Sequence, residues 1–523
     1  MRADNNIPSK NFDLIVVGAG PAGVALTLKM LKLGHSVALV AGGEITKFDF
    51  NKKLYVESDI DLAKHELLTE NRVRGGGGTS EKWGGRLVEF SKSDFEKNNS
   101  LTGAQWPIIK SDLTNYYNES LNFFKIGDRR DKLIAELDLN KDEVCELLGF
   151  PSISDSGNRR NVSEFSPSVE NPEIWSEVGN VFETYRKTLL AFPKFRLFEN
   201  WHMTEILLTE TNAKVSRILI KNSTLDQQYL VGQFYALACG AIENSRQLLL
   251  LSNKFPNCLK ETRKFIGISY STHIFITIPE IRMPSNYVWN FRKIRSGLLR
   301  IRLQSRNLGE HGNFASYFAY PPAKNSSSIS RIRILNFIQK YGLRAIYNRE
   351  LLRRTILKLR TLASKVEDET ITENFDFQCL HVQLEHVSNS DSCIKLGKNS
   401  DVFGNLLPNA TLSLSDSDFQ NARFAEEFFQ NCFSSGLIKT GIFEERIRSG
   451  FRFPNSHAHQ LGGTIMGRSS ENSVVDSFGQ VHEIHNLYIS GSSVFTTAGE
   501  ANPTHTIVAL AIRTSEEIAR RLQ

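Results

Sequence analysis

A short glycine-rich turn near the start constrains the fold of this chain more than any other feature. The apolar run Leu14–Val17 leads directly into it, and an amphipathic stretch follows over 24–33. The turn itself carries Gly18, Gly20 and Gly23. A continuous apolar run is typical of a strand buried in a parallel sheet, and glycines at this spacing allow a tight turn, close approach of a pyrophosphate and close helix packing. The three parts in this order predict an α/β domain with a dinucleotide site.

The acidic residue that usually accompanies such a turn is missing. A second strand is predicted over 35–40, and Ala41 occupies the place of the carboxylate that normally binds a ribose. Glu44 stands three residues later, and we hypothesise that it reaches the ribose instead. The alternative is a glycine-rich turn that holds no ligand, but the predicted strand and helix on either side argue against it.

A second glycine-rich loop follows, with four successive glycines at 75–78. A backbone without side chains can line a flat ligand closely. The alternative is a flexible surface linker. Trp83 and a further glycine pair at 84–85 argue against that alternative and favour a ligand-binding loop.

The C-terminal part of the chain carries a candidate base and a candidate orienting group. Oxidation of an alcohol by hydride transfer needs a hydride acceptor and a base for the hydroxyl proton. A neutral imidazole can take that proton at neutral pH, and a second polar group can hold the substrate oxygen in line. His459 and Asn502, each in glycine-rich or turn surroundings, supply these two chemical types.

Other histidines in the same region allow a different interpretation. His457 with His459, and His482 with His485, have spacings that could indicate a metal site. No acidic or cysteine cluster accompanies them, so no metal is predicted. We expect His457 to be structural, and His482 and His485 to lie in a surface loop. His505 is left with two interpretations, a contact with substrate or cofactor, or packing at a helix start.

These motifs together resemble the glucose-methanol-choline (GMC) flavin oxidoreductases, in which the two chain ends meet around one flavin. The resemblance rests on the stretches 12–26, 459–467 and 491–513, and it is weak over about 255–455. It is nearest to the pyranose oxidase and sugar dehydrogenase branch. It implies an α/β FAD-binding Rossmann-like domain with an α+β substrate domain built on an antiparallel sheet, the architecture shared with p-hydroxybenzoate hydroxylase-like proteins.

The resemblance also implies FAD as the cofactor, with His459 as base and Asn502 as its partner. Some sugar oxidases of the family attach flavin through a His immediately before the loop Trp, but here that position is Lys82, so non-covalent FAD is expected. The cofactor-binding residues implied by the resemblance are Gly18, Gly20, Pro21, Ala22, Gly23, Gly78, Thr79, Ser80, Trp83, Gly84, Met203, Cys239, Gly240, Gly491, Ser492, Asn502, Pro503 and Thr504.

The domain division is predicted to be discontinuous. Residues 11–254 and 456–523 are expected to form the FAD-binding domain, and 255–455 the substrate domain. A strand over 233–238 and a leucine-rich helix over 246–251 are expected where the chain rejoins the first domain. Polar and apolar residues alternate in places over 375–396, which predicts a strand of an antiparallel sheet.

The positive charge of the chain is concentrated in one segment. Residues 291–365 hold 17 Lys and Arg against two acidic residues, although the whole chain has a net charge of only +6. Apolar residues recur at helical spacing over 331–365, which predicts solvated basic helices packed on the domain. The alternative is a surface for an anionic membrane or an acidic partner. No recognition motif accompanies the charge, so nucleic acid is not expected as a partner.

Composition places the chain among soluble globular proteins. It has 523 residues, 40% hydrophobic and 23% charged, with no apolar run near the length of a membrane span. The first 12 residues lack an apolar secretion signal, and six scattered Cys form no CxxC pair. We therefore expect a cytoplasmic protein with reduced thiols, with peripheral membrane contact left open.

The sequence thus predicts an FAD-dependent oxidation of an alcohol group, on a sugar or another polyol, with His459 as base. Two other functions stay open at this point. One is a GMC-like lyase that holds flavin without net redox chemistry, and the other is a non-catalytic flavoprotein scaffold that binds a membrane or a partner through the basic segment. The electron acceptor, whether oxygen, a quinone or a protein, is not predicted.

Overall fold

The computed structural model describes residues 11–43, 72–127, 165–168, 174–176, 178–282, 301–305, 314–319, 377–432, 441–450 and 459–523. Its strands are β1 (Phe12–Val17), β2 (Val37–Ala41), β3 (Arg86–Leu87), β4 (Phe165–Ser168), β5 (Ile174–Trp175), β6 (Phe195–Glu199), β7 (His202–Leu208), β8 (Val215–Lys221), β9 (Gln227–Leu230), β10 (Gly232–Leu237), β11 (His273–Arg282), β12 (Ile301–Ser305), β13 (Phe314–Ala319), β14 (Phe377–Glu385), β15 (Cys393–Ser400), β16 (Leu406–Thr411) and β17 (Leu487–Ile489). Its α-helices are α1 (Pro21–Lys32), α2 (Lys92–Glu96), α3 (Thr114–Phe123), α4 (Val181–Leu190), α5 (Ala241–Lys254), α6 (Asp416–Cys432), α7 (Ile442–Gly450) and α8 (Thr504–Arg521).

The predicted strand, turn and helix at the start of the chain are confirmed. Helix α1 begins at Pro21, three residues before the predicted start. The reason is that proline fits the first helical position, where its missing N–H has no intrahelical acceptor. Gly20 occupies the N-cap and has no side chain, so no side-chain oxygen of the cap residue accepts the N–H groups of the first turn.

A five-stranded parallel sheet forms the centre of this domain, in the order β17-β10-β1-β2-β6. Strand β1 is in the middle, and its side chains alternate between two hydrophobic clusters. Ile15 belongs to one cluster, and Leu14 and Val16 to the other. Both faces of the strand are therefore buried, which is why its sequence is continuously apolar.

The two ends of the chain meet in this domain. Strand β17 pairs with β10, and α8 packs beside α1. Lys29 on α1 lies 2.9 Å from Glu119 on α3 and 2.8 Å from Glu516 on α8, so one cation joins three helices. The predicted meeting of the N-terminal turn and the C-terminal block is confirmed.

The remaining sheets are antiparallel where their registers are defined. They include β7-β8-β9, the hairpin β15-β16 and a second five-stranded sheet in the order β11-β14-β13-β12-β4. The strand predicted over 375–396 is in fact two strands, β14 and β15. Asn389 separates them, because its Oδ1 accepts the backbone N–H groups of Asp391 and Ser392 and so folds a tight turn. The α/β fold with added antiparallel sheets is the predicted class.

The chain forms two compact units. One contains residues 1–276, 294–317 and 382–523, and the other contains 277–293 and 318–381. These units do not test the predicted functional division at 254 and 456, which stays a prediction. Within the basic segment 291–365, the described residues form β12 and β13, and the helices predicted over 331–365 lie outside the described residues. Among the described helices, none is both long and apolar enough to cross a membrane.

Candidate active site

Three glycine turns meet at the carboxyl edge of the parallel sheet. Gly18 follows β1, Gly240 lies three residues after β10, and Gly491 lies two residues after β17. Because β1, β10 and β17 are neighbours and parallel, their carboxyl ends lie along one edge. Each of the three glycines has a positive φ, of 107°, 82° and 130°, which residues with a side chain adopt at a cost. Three predicted cofactor residues from distant parts of the sequence are thus brought together.

The second glycine-rich loop packs directly on the first turn. Gly77 donates its N–H to the carbonyl of Ala19 at 2.9 Å, and a side chain on Gly78 would lie 3.2 Å from Cα of Gly20. The loop is held from its other side by Ser80, whose hydroxyl accepts the N–H of Val181 at 3.2 Å. The predicted residues Gly78, Thr79 and Ser80 therefore form a short helical turn, 78–81, beside the turn after β1.

Trp83 anchors the same loop. Its indole N–H lies 2.8 Å from the carbonyl of Gly179, and its ring lies 5.3 Å from that of Phe124. These two contacts fix the loop that carries Trp83 to the segment of Gly179 and to Phe124. The next residue, Gly84, has open space where a side chain would be.

The glycine backbones leave room that fits a flat dinucleotide. A Cβ on Gly20 would have its nearest neighbour 4.0 Å away, one on Gly491 would lie 3.9 Å from Asn244, and one on Gly240 would meet nothing within 4 Å. In contrast, a Cβ on Gly23 would lie 1.8 Å from the carbonyl of Gly18, so Gly23 serves helix packing. Dinucleotide-binding turns use some glycines for close approach of the ligand and another for close packing of the helix on the strand. The glycines of this site divide in the same way.

The remaining predicted cofactor residues have different surroundings. Ala22 is buried in the first turn of α1, and Met203 on β7 is part of the hydrophobic core. Cys239 donates its thiol to the carbonyl of Val17 at 3.2 Å, and burial raises the pKa of this thiol to about 12, so it stays protonated. The hydroxyl of Ser492 donates to the carbonyl of Gln460 at 2.5 Å. No contact of these side chains with a ligand is tested, so their assignment stays a prediction.

Asn244, which the sequence interpretation did not assign to the site, ties two of the turns together. Its Oδ1 accepts the N–H of Cys239 at 2.9 Å, and its Nδ2 donates to the hydroxyl of Ser493 at 3.0 Å. The first contact lies after β10 and the second after β17. The sequence feature that could have indicated this role is an asparagine at the start of a helix, where the helix follows a strand and a glycine turn.

A buried charge network stands beside these turns. Glu243, in the first turn of α5, lies 2.9 Å from Arg246 and 3.2 Å from Arg74, and Arg72 is at 3.6 Å. Burial alone would raise the pKa of Glu243, but the charges of Arg246, Arg74 and Arg72 outweigh it and hold the pKa well below its usual range. The carboxylate therefore fixes the segment that leads into the four glycines.

The end of β2 carries no carboxylate in the described residues, since Ala41 is followed by Gly42, and Glu44 lies outside them. The neighbouring side chain is His202, whose Nδ1 would lie 2.7 Å from a Cβ on Gly42. Burial, assisted by the nearby charge of Arg74, lowers the pKa of His202 to about 3. The imidazole is therefore neutral at this end of the site.

The candidate base is placed by an antiparallel bridge. Ser271 donates its N–H to the carbonyl of Leu461 at 2.9 Å, and Leu461 donates back at 3.0 Å. In that register His459 lies opposite His273 at the start of β11. The turn after β17 holds the same segment, because Gly462 donates its N–H to the carbonyl of Ser492 at 3.0 Å.

The predicted catalytic pair is in direct contact. Asn502 lies two residues before α8, and its Nδ2 is 3.1 Å from Nε2 of His459. A hydroxyl oxygen within reach of that imidazole nitrogen would therefore also be within reach of the amide. Pro503 occupies the N-cap of α8 and makes no side-chain hydrogen bond to it, and no acidic residue occupies the first turn. The N–H groups that begin at Thr504 therefore favour negative charge nearby.

Two further side chains, which the sequence interpretation missed, lie beside this pair. Nδ1 of His273 lies 2.8 Å from Nδ1 of His459, and Nε2 of Gln383 on β14 lies 2.6 Å from the same atom of His273. Both His273 and Gln383 are fully buried. The feature that could have indicated the first of them is a histidine at the start of a largely apolar strand.

The other C-terminal histidines have structural contacts. His505 is buried at the start of α8, where its Nε2 lies 3.2 Å from the carbonyl of Tyr117 and its ring centroid lies 4.8 Å from that of the tilted Tyr117 ring. Of its two interpretations, the structure supports packing. His482 lies 3.0 Å from the hydroxyl of Ser473 in a half-buried loop, and His485 is exposed. His457 lies outside the described residues.

Comparisons with known proteins agree with this architecture. Residues 388–511 match the family model described as GMC oxidoreductase. Over 97% of its length the chain is 21% identical to 2-methyl-1,2-propanediol dehydrogenase of Mycolicibacterium austroafricanum, covering 95% of that protein. It is also 21% identical to the fructose dehydrogenase large subunit of Gluconobacter japonicus, covering 98% of both chains.

A solved structure shows the same fold. It is the formate oxidase of Aspergillus oryzae RIB40, in a study of how the mutation R554A affects FAD modification. The two chains superpose with a TM-score of 0.54 and 14% identity over 98% of each.

Proposed function

We propose, from the premise that this chain belongs to the GMC oxidoreductase family, that it oxidises an alcohol group of a sugar or another polyol with the help of non-covalently bound FAD. The carrying observation is the contact of 3.1 Å between His459 Nε2 and Asn502 Nδ2. Relatives that cover nearly the whole chain are named for a diol and for fructose, which supports a polyhydroxylated substrate.

The cofactor would be held by the glycine-lined edge of the parallel sheet. Gly20, Gly240 and Gly491 leave open space there, and the N-terminus of α1 favours the negative charge of a pyrophosphate. When bound, FAD supplies an acceptor for the hydride of the alcohol carbon. Lys82 stands where some sugar oxidases of the family carry a flavin-linking His, which supports a non-covalent flavin.

The chain's own residues would handle the proton. His459 Nε2 takes the hydroxyl proton of the substrate as the carbon–hydrogen bond breaks, because an alkoxide-like oxygen releases hydride more readily. Asn502 holds the same oxygen in line through its amide. The turn 491–494 holds the segment that follows His459, because Gly462 and Thr464 donate their N–H groups to the carbonyls of Ser492 and Ser493. The candidate base and the candidate cofactor site therefore share one support.

The proposal is tested by mixing the FAD-loaded protein with a panel of sugars and polyols without oxygen and following the loss of flavin absorbance. We expect at least one polyol to bleach the flavin. His459→Ala should bind FAD normally but reduce it roughly 100- to 10,000-fold more slowly, since positioned general bases contribute about that much. Unchanged reduction in this variant would exclude His459 as the base.

Two outcomes would redirect the proposal. A flavin that remains oxidised during turnover would indicate lyase chemistry. Flavin that stays in the pellet when the protein is precipitated with acid would show a covalent link, whereas we expect it in the supernatant with the mass of FAD. Re-oxidation of the reduced protein with oxygen and with a quinone then distinguishes the electron acceptors.

A further inference from the structure

The surroundings of the candidate base point to one more functional residue. His459 uses both ring nitrogens, with Asn502 at Nε2 and His273 at Nδ1. The two imidazole rings meet edge to face, with their planes at 72° and centroids 4.8 Å apart. A hydrogen bond between two neutral imidazoles needs one N–H and one lone pair, so its direction fixes which nitrogen of His459 carries the proton.

The direction of the hydrogen bond between His273 and His459 follows from the contacts of Gln383. Nε2 of Gln383 lies 2.6 Å from the carbonyl of Glu500, and a carbonyl only accepts hydrogen bonds. The amide NH₂ of Gln383 is therefore turned towards this carbonyl and also donates to Nδ1 of His273, 2.6 Å away. Nδ1 of His273 must be an acceptor in this arrangement.

The other nitrogen of His273 agrees with that assignment. Its Nε2 lies 3.4 Å from the carbonyl of Ala498, which again can only accept. Neutral His273 thus carries its proton on Nε2 and a lone pair on Nδ1.

We propose that His273 is the positioning residue for the base: it accepts the Nδ1 proton of His459 and so leaves Nε2 of His459 unprotonated, facing Asn502. This inference rests on the proposed function only for the role of His459 as base. The lone pair of His273 is shared between His459 and Gln383. The share of His459 grows when it takes the substrate proton, because a charged donor forms about twice as strong a hydrogen bond as a neutral one.

The first test needs neither substrate nor mutation of His273. The FAD-loaded protein is labelled with ¹⁵N-histidine, and long-range ¹H–¹⁵N spectra report the tautomer of each ring. The chain has 12 His, and the signal of His459 is identified by its loss in His459→Ala. We expect His459 to carry its proton on Nδ1. A proton on Nε2 with an unprotonated Nδ1 would overturn the inference.

The second test separates positioning from simple packing. His273→Leu removes the acceptor, whereas His273→Asn can present an amide oxygen near the former Nδ1. We expect His273→Leu to populate both tautomers of His459 and to slow flavin reduction at saturating substrate roughly 10- to 100-fold, the loss typical when the group that orients a functional His is removed. Substrate affinity should change little, and His273→Asn should regain most of the rate and the Nδ1–H tautomer.

A matched control is His505→Leu, which also removes a buried His with one ring contact to a carbonyl, but away from His459. It should lower the melting temperature and leave the His459 tautomer unchanged. Equal impairment in His273→Leu and His273→Asn, with the tautomer unaltered, would reduce His273 to a packing residue.

The two proposals can fail separately. If no alcohol reduces the flavin but His459 is protonated on Nδ1 and loses that preference in His273→Leu, the proposed function fails and the inference stands. If flavin is reduced in a His459-dependent way while His459 carries its proton on Nε2, the inference fails and the function stands. If His273→Leu does not fold, the tautomer of the native protein still decides.

Discussion

Replacing Arg246 with Met tests whether buried charges hold helix α5 to the β15–β16 hairpin. The Arg246 side chain is 2% exposed, and its guanidinium contacts two carboxylates and two backbone carbonyls. Its Nη1 lies 2.9 Å from Glu243, its Nη2 2.6 Å from Asp401, and its Nε donates to the carbonyl of Leu406 at 2.7 Å. Met fills a similar volume but donates no hydrogen bond, so the change leaves Asp401 buried without its cation.

The magnitude follows from which partners remain. Glu243 keeps Arg72 and Arg74, so its charge stays compensated. Within the described part of the chain, Asp401 then keeps the backbone N–H groups of Phe403 and Asn405, which both donate to its other oxygen. Removing one partner of a buried pair costs ~3–5 kcal/mol. An unfolding entropy of about 2.1 cal/mol/K per residue over 523 residues converts that loss to a fall of about 3–5 °C in the melting temperature, if unfolding is cooperative.

Thermal unfolding followed by circular dichroism measures this fall, with two comparison variants. Arg246→Met combined with Asp401→Asn should recover part of the loss, because the amide keeps its backbone contacts and carries no charge. Arg520→Met removes an exposed ion pair with Glu517 and should not change the melting temperature measurably. A fall under about 1 °C in Arg246→Met, or no recovery in the double variant, would refute the reasoning.

Two further predictions concern the cofactor site and its pH response. Gly20→Ala should leave the melting temperature of the flavin-free protein unchanged, because the nearest neighbour of the added Cβ would be 4.0 Å away. The variant should nonetheless weaken FAD binding roughly 10- to 100-fold, since forcing a methyl group into space that the cofactor occupies costs ~1–3 kcal/mol. An unaltered affinity in a flavin titration would place the cofactor elsewhere. His202 has a pKa of about 3 when folded against an ordinary 6.5, so the unfolded chain alone binds a proton between those values and stability falls as pH drops below 6.5. Lowering the pH from 7 to 5 should therefore cost ~2 kcal/mol of stability, or about 2 °C in the melting temperature. The melting temperature of His202→Gln should fall by that much less over the same pH change. An equal fall in both proteins would contradict the assignment.

The sequence predicted the parts of this fold that are local. The apolar run 14–17, the spacing of Gly18, Gly20 and Gly23, and the helix after them lie within 20 residues, where periodicity and backbone freedom decide the structure. The pairing of His459 with Asn502 was also predictable, because each stands in a short recognisable motif. The contact between them, at 3.1 Å, confirms that the motifs meet.

The parts that were missed depend on register between distant segments. His273 contacts His459 only because Ser271 pairs with Leu461, and no local pattern specifies that pairing. Arg246 stood at the start of a predicted leucine-rich helix, and nothing in its surroundings indicates burial. Its partner Asp401 is 155 residues away, and a buried Arg becomes favourable only once such a partner is in place.

The same short backbone segment positions both the cofactor edge and the base. Gly462 and Thr464 donate their N–H groups to the carbonyls of Ser492 and Ser493, in the turn directly after Gly491. A displacement of that turn would therefore move the base together with the glycine edge, and the distance between them would be preserved. Hydride transfer and proton removal must act on the carbon and the oxygen of one alcohol group. A shared support therefore preserves the distance between the base and the cofactor edge even when the surrounding loops shift.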